Sequence, residues 1–154
     1  MNKPSEPAAA QHSGQGTPRL EDQLCFPLYA CSREVIKRYR PHLDAIGLTY
    51  TQYVAMLVFW EQQSVSVKAL GQRLHLDSGT LTPVLKSLEQ KGYITRRRSE
   101  TDERVLIAAL TDAGAALREH AEAIPQQLCS CLPLDPAEAA QLHQLLYKLL
   151  RTME

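Results

Sequence analysis

The chain has 154 residues, enough for one modest hydrophobic core, so a single domain is the starting expectation. Its 17 Lys and Arg balance 17 Asp and Glu, which excludes a globally basic protein and confines any contact with a polyanion to a local patch. No apolar run approaches the length of a membrane span and the first residues lack the apolar core of a secretion signal; a cytoplasmic protein is expected, with its four Cys as reactive or buried thiols rather than structural disulfides.

Met1 to Gly16 is rich in Pro, Ala, Ser, Gln and Gly and buries too little apolar surface to offset ordering, which predicts a mobile tail over residues 1–17. Thr17-Pro18 reads as an N-cap followed by Pro at the first helical position. Leu20, Leu24, Leu28 and Cys31 then recur at helical spacing. Pro27, deep in that helix, removes the bond to the carbonyl of Gln23 and predicts a kink or a restart beside Cys25. Ser32 to Tyr39 continues the helix, Arg40-Pro41 ends it, and His42 to Ile46 forms a further short turn closed by Gly47. Thr49 to Glu61 reads as a helix with Tyr50, Tyr53, Val54, Leu57, Val58 and Trp60 mostly inward. Ser64-Val65-Ser66 is a candidate short strand.

From Val67 the pattern sharpens. Val67, Leu70 and Leu74 mark a short helix, Leu76-Asp77-Ser78-Gly79 supplies cap and turn residues, and Leu81, Val84, Leu85 and Leu88 mark a second amphipathic helix ended by Lys91-Gly92. The period then changes to two: Tyr93 to Arg98 and Val105 to Leu110 read as strands around a polar tip, Ser99 to Arg104. Helix, turn, helix and a basic hairpin make a winged helix-turn-helix, so the expected fold class is mainly α with a small β-wing. Small hydroxyl residues at the second helix start (Ser78, Thr80, Thr82, ahead of Lys86) suit entry into a DNA major groove. Arg96, Arg97, Arg98 and Arg104 suit a narrow minor groove. Residues 68–104 hold eight Lys and Arg against five Asp and Glu, so +3; residues 111–154 hold three against six, so −3. The competing reading, a solvated basic hairpin on an ordinary α/β domain, does not account for the helix pair that precedes it.

Thr111-Asp112 caps a long helix carrying Ala116, Leu117, Ala121, Ile124 and Leu128, bent at Pro125. Cys129 to Leu134 is a break. Asp135-Pro136-Ala137-Glu138 is a capping box opening the last helix, whose stripe of Leu142, Leu145, Leu146, Leu149 and Leu150 is too apolar for a solvated terminal helix. It predicts a two-fold homodimer. Such a dimer sets two reading heads roughly 34 Å apart on a pseudo-palindrome of double-stranded DNA.

The stretch LDSGTLTPVLKSLEQKGYITRRRSETDER, with Asp102-x-Arg104 at its tip, resembles the DNA-binding core of MarR-family winged-helix regulators. Together with Leu24-Cys25-Phe26-x-Leu28-Tyr29 it resembles their OhrR branch, which senses organic hydroperoxides; the likeness runs from about Leu20 to the C-terminus. The resemblance implies one MarR-type domain over residues 18–154, with the winged helix-turn-helix at about 49–111 and dimerisation helices at 18–46 and 112–154. It implies a repressor of peroxide-resistance genes, bound to operator DNA through residues including Asp102 and induced by organic hydroperoxide. It makes Cys25 the redox sensor, near a helix start, with Tyr39 (from the partner subunit) and Tyr50 donating hydrogen bonds to its sulfur. Phe26, Leu28, Met56 or Trp60 would select apolar hydroperoxides.

In two-cysteine members a second thiol, about a hundred residues on and from the other subunit, captures the sulfenic acid formed at the sensor. Cys129 and Cys131 both fit, and Cys129 is nearer Pro125. Without the resemblance, Cys25 reads as a small buried hydrophobe on an apolar helix face, and Cys31 as a spectator. Cys129-x-Cys131 with His120 and His143 lacks the spacing of a tetrahedral metal site; neither metal nor cofactor is expected. Two rival functions are a MarR-type repressor gated by a small phenolic ligand and a peroxide-consuming thiol enzyme. The second lacks the Pro-x-x-x-Thr-x-x-Cys arrangement of peroxiredoxins, so no enzymatic activity is expected.

Overall fold

The computed structural model describes residues 18–129 and 133–153. The described chain falls into two compact units, one ending at Arg38 and one beginning at Tyr39. In the first, Pro18 and Arg19 are not helical, a single 3-10 turn covers Leu20–Asp22, and helix α1 (Cys25–Ala45) begins at Cys25. The expected start at Pro18 is therefore corrected, and Thr17 lies outside the described residues. The restart beside Cys25 is present, but Pro27 sits in the first turn of α1. There the backbone N–H groups have no intrahelical partner to lose, so Pro costs nothing and imposes no kink.

Pro41 does not end α1, as its sequence position suggested; the helix runs through it to Ala45. Pro41 forfeits one hydrogen bond, to the carbonyl of Lys37, on an exposed flank that water reaches. The real stop is Gly47, with φ of +67°. Leu48 N donates to the Leu43 carbonyl at 2.9 Å and Gly47 N to the Asp44 carbonyl at 3.1 Å. These two bonds close the helix with buried Leu43 and Leu48 beneath them.

The second unit is built on helix α2 (Tyr50–Gln62), opened by a capping box in which Thr49 and Gln52 satisfy each other's backbone N–H. Tyr53, Val58 and Trp60 are buried as expected, and so are Ala55, Met56 and Phe59. Leu57, expected inward, is 44% exposed. The helix is apolar nearly all round before Glu61, so periodicity could not single out Leu57 as facing outward.

Strand β1 (Ser64–Ser66) leads into α3 (Val67–Leu74) and α4 (Ser78–Gln90). The turn between them is made by His75 in the left-handed region and by Asp77 as N-cap. It is tight: a Cβ on Gly71 would lie 2.9 Å from the Leu76 carbonyl oxygen. Leu70, Leu81, Leu85 and Leu88 are at most 1% exposed, the inward faces that the three-and-four spacing predicts. Strands β2 (Ile94–Arg98) and β3 (Leu106–Leu110) form the wing, and β1 pairs on the far side of β3, all antiparallel.

The expected long helix after Thr111 is two helices, α5 (Asp112–Ala121) and α6 (Ile124–Cys129). Pro125 cannot donate to the Ala121 carbonyl, so α5 stops there and Pro125 is absorbed in the first turn of α6. Trp60 Nε1 donates to the Gly114 carbonyl at 2.8 Å, tying α2 to α5. Helix α7 (Pro136–Thr152) opens with the Asp135–Glu138 capping box. Ser130, Cys131 and Leu132, in the expected break, lie outside the described residues.

Candidate nucleic-acid interface and thiol

Ser78, Thr80, Thr82 and Lys86 are all exposed on α4. Asp77 organises the helix start: its Oδ1 accepts from Thr80 N and its Oδ2 from Thr80 Oγ1, both at 2.9 Å. These bonds, the backbone one first, hold the Asp77 carboxyl below its usual range. Thr82 Oγ1 donates to the Ser78 carbonyl at 2.6 Å. Both Thr hydroxyl protons are thus used locally, which leaves the two exposed residues' oxygens as acceptors. Lys86 is exposed and makes no ion pair among the described residues.

The wing tip is shaped by its own short side chains. Ser99 N donates to the Val105 carbonyl at 2.8 Å, and Asp102 Oδ1 accepts from Arg104 N at 3.0 Å, an Asx-turn. The same oxygen accepts from Arg104 Nε at 3.2 Å, while the Arg104 side chain stays 92% exposed. Asp102 therefore aims Arg104 outward. Arg98 donates to the Glu103 carbonyl and Arg97 to Glu100.

Arg96 is placed differently. Its side chain is only 22% exposed and is bound by Glu89 of α4. Arg96, expected among the groove-facing arginines, is held by Glu89 in a bond that joins wing to helix. Glu89 was missed; it lies seven residues before Arg96 and nothing in the local pattern marks the pair.

Cys25 is the first residue of α1 and is exposed in the single chain, as is Cys31. In the single chain Cys25 is thus not the buried small hydrophobe that spacing alone suggests. Tyr39 and Tyr50 belong to the second unit, where their rings meet edge-on with centroids 5.1 Å apart; Tyr53 lies 5.9 Å from Tyr39. Burial pushes the Tyr50 and Tyr53 hydroxyls up from the ordinary phenol value, and for Tyr53 the neighbouring Tyr39 and Tyr50 add to it. Tyr50 therefore remains a donor at neutral and mildly alkaline pH. Met56 and Trp60 are buried in the core of that unit. Cys129 ends α6. Among the described residues no three His, Cys, Asp or Glu side chains cluster to hold a metal ion, and no helix is long and apolar enough to cross a membrane.

A tight helix-turn-helix followed by an arginine-edged antiparallel wing is the reading head of a winged-helix DNA-binding regulator. Residues 34–121 match the family model of the transcriptional regulator SarA/Rot. The chain is 50% identical over 135 residues to the organic hydroperoxide resistance transcriptional regulator of Bacillus subtilis, covering 88% of this chain and 92% of that one. Among solved structures it is similar to reduced AbfR bound to DNA, a Staphylococcus epidermidis protein (38% identity, TM-score 0.73, 87% and 92% of the two chains). It resembles the disulfide-formed AbfR less well in shape, with TM-score 0.58 at 39% identity over 87% and 89% of the two chains. An Escherichia coli MarR variant complexed with operator DNA superimposes with TM-score 0.76 at 25% identity, over 82% and 93% of the two chains. The chain belongs to the MarR/SarA family of winged-helix transcriptional regulators.

Proposed function

We propose that the protein is a homodimeric repressor that leaves its operator when an organic hydroperoxide oxidises Cys25. The observation that carries this is the exposed thiol at the first turn of α1, within a chain half identical to a regulator of organic hydroperoxide resistance. The thiolate sulfur attacks the terminal peroxide oxygen, the O–O bond breaks, and the alkoxide leaves as alcohol after taking a proton; Cys25 becomes a sulfenic acid. A second thiolate, Cys129 or Cys131 of the partner subunit, then attacks that sulfur, and the hydroxyl leaves as water with formation of a disulfide. Tyr39 of the partner and Tyr50 donate hydrogen bonds to the sulfur. On the DNA side, Ser78, Thr80, Thr82 and Lys86 enter the major groove. Arg98 and Arg104, the latter aimed by Asp102, reach the adjacent minor groove. Residues 18–154 act as one unit of function, with α1 and α5 to α7 forming the dimer.

Non-reducing electrophoresis tests the chemistry. Treatment with cumene hydroperoxide yields a covalent dimer, which is absent in Cys25→Ser and in one of Cys129→Ser and Cys131→Ser. A wild type that keeps its DNA after treatment refutes the sensing step.

A second reading, gating by a small phenolic acid, has one observation in its favour. A cavity of about 500 Å³ is lined by Tyr53, Leu57, Trp60, Ala121 and Pro125, together with Glu61, Glu122 and Arg118, the last donating to Glu122 at 3.1 Å. Release of DNA from Cys25→Ser by an aromatic carboxylate supports that reading.

A further inference from the structure

Gln52 is a buried polar side chain in an otherwise apolar core, 6% exposed. An amide in such a place is costly unless every polar atom finds a partner. The capping box at the start of α2 needs only its backbone N–H and its Oε1, which accepts from Thr49 N at 3.1 Å. Two more bonds reach much further along the chain. Gln52 Nε2 donates to Ser87 Oγ at 2.9 Å, and Gln52 Oε1 accepts from Lys91 Nζ at 2.9 Å. Lys91 Nζ also donates to the Gly47 carbonyl at 2.6 Å, placing a cation at the carbonyl end of α1.

One amide and one ammonium thus bind three things: the residue that terminates α1, the first turn of α2, and the last turn of α4. The α1–α2 corner they hold also carries the Tyr39–Tyr50 edge contact, and Tyr50 lies within the capping box itself. An apolar side chain would fill the same space without direction. Hydrogen bonds from a rigid amide instead have one geometry, so a shift of the corner must carry Ser87 and Lys91 along or break the bonds.

We propose that Gln52, Ser87 and Lys91 are positioning residues that couple the phenol-bearing corner to the recognition helix, converting displacement there into rotation of α4. This rests on the reading of Cys25 as the peroxide sensor. It requires no contact of these three residues with DNA or with the thiol.

The test uses the full-length dimer and a duplex that the wild type selects from a randomised pool. Affinity is measured for reduced and cumene-hydroperoxide-treated protein, and loss of the Cys25 thiol is followed separately by alkylation. Ser87→Ala and Lys91→Met are the informative variants, since each keeps the bulk of its residue; Ser87→Thr restores the hydroxyl. Wild type loses about a hundredfold in affinity on oxidation. Both variants oxidise at the wild-type rate and bind DNA within about threefold of it when reduced, but lose less than about tenfold on oxidation. Ser87→Thr returns toward the wild-type ratio. An unchanged ratio in the variants, whether or not affinity falls in both states, overturns the coupling. A wild type that oxidises yet keeps its DNA overturns the sensing reading itself, and the two failures are distinguished by which protein fails.

Discussion

Glu89 on α4 grips Arg96 on β2 with both carboxylate oxygens: Oε1 accepts from the Arg96 backbone N at 3.0 Å, and Oε2 from Nε at 3.1 Å and Nη2 at 2.6 Å. The bond fixes the angle between recognition helix and wing, and it neutralises a guanidinium that charge counting alone would assign to DNA. An arginine that neutralises a phosphate contributes about one to the salt dependence of binding. Arg96→Ala is therefore expected to leave the slope of log K against log salt nearly unchanged. It should lower the ratio of specific to non-specific affinity, because the wing loses its alignment. A slope reduced by a full unit would return Arg96 to the DNA contacts.

Lys86 and Arg104 are expected to behave in the opposite way. Both are exposed, and Arg104 is turned outward by Asp102. Lys86→Ala and Arg104→Ala should each reduce the salt slope by about one. Arg104→Ala should also weaken discrimination in favour of A·T-rich flanks, whose narrow minor groove attracts a guanidinium. Asp102→Asn retains the Asx-turn acceptor and should cost less than Asp102→Ala, measured on the same duplexes.

Acid should loosen this reading head in a defined window. Hydrogen bonds from the Arg96 side chain hold Glu89 below the ordinary carboxylate value, as those from Thr80 do for Asp77. With the folded-state value depressed, the unfolded chain takes up protons first as pH falls. The stability these groups confer is complete above the ordinary carboxylate value, roughly pH 4 to 4.5, and is lost as pH falls through the depressed folded values. Glu89→Gln and Asp77→Asn should each flatten the acid limb of a urea-denaturation series and leave its neutral limb parallel to wild type. A steeper acid limb in either variant would contradict the assignment.

The helix-turn-helix and wing were legible because each carries a local signal. Leu81, Leu85 and Leu88 keep helical spacing, Asp77 and Gly92 mark the ends of α4, and the alternation from Ile94 onward gives strands. Prolines were read less well, since their effect depends on where a helix begins. Pro27 and Pro125 are harmless in first turns, whereas the sequence window placed both in helix interiors. The candidate site divides the same way. Short-range features such as Asp102 beside Arg104 could be read directly. The Glu89–Arg96 bond and the Gln52–Ser87–Lys91 set join residues on different elements, and no spacing rule selects them.

Gly114 shows what tertiary closeness demands of one residue. A Cβ there would lie 2.1 Å from the Tyr93 carbonyl oxygen and 2.8 Å from Leu110 Cδ1, and the Gly114 carbonyl must still meet Trp60. The first obstacle is backbone at the wing's base and cannot rotate away. Gly114→Ala is expected to cost about 3 kcal/mol, the upper end for overpacking, seen as a lower urea midpoint. A loss below about 0.5 kcal/mol, the range of ordinary surface changes, would mean that α5 slides freely against the wing.

Helix α7 carries Leu142, Leu145, Leu146, Leu149 and Leu150, all between 37% and 51% exposed in the single chain. Five leucines on one stripe expose more apolar surface than a solvated helix keeps, and burying the part of each that is still exposed against a partner is worth roughly 1 kcal/mol. If α7 forms the contact of the proposed two-fold dimer, replacing Leu145 and Leu149 with Lys sets like charges across it. The doubly substituted protein should sediment as a monomer with an intact far-ultraviolet spectrum. It should bind an isolated half-site duplex as wild type does, yet lose the tighter binding that the paired half-sites confer on a double-headed protein. A variant that remains dimeric would move the dimer contact away from α7, and the expected spacing of the two reading heads would have to be built on another helix.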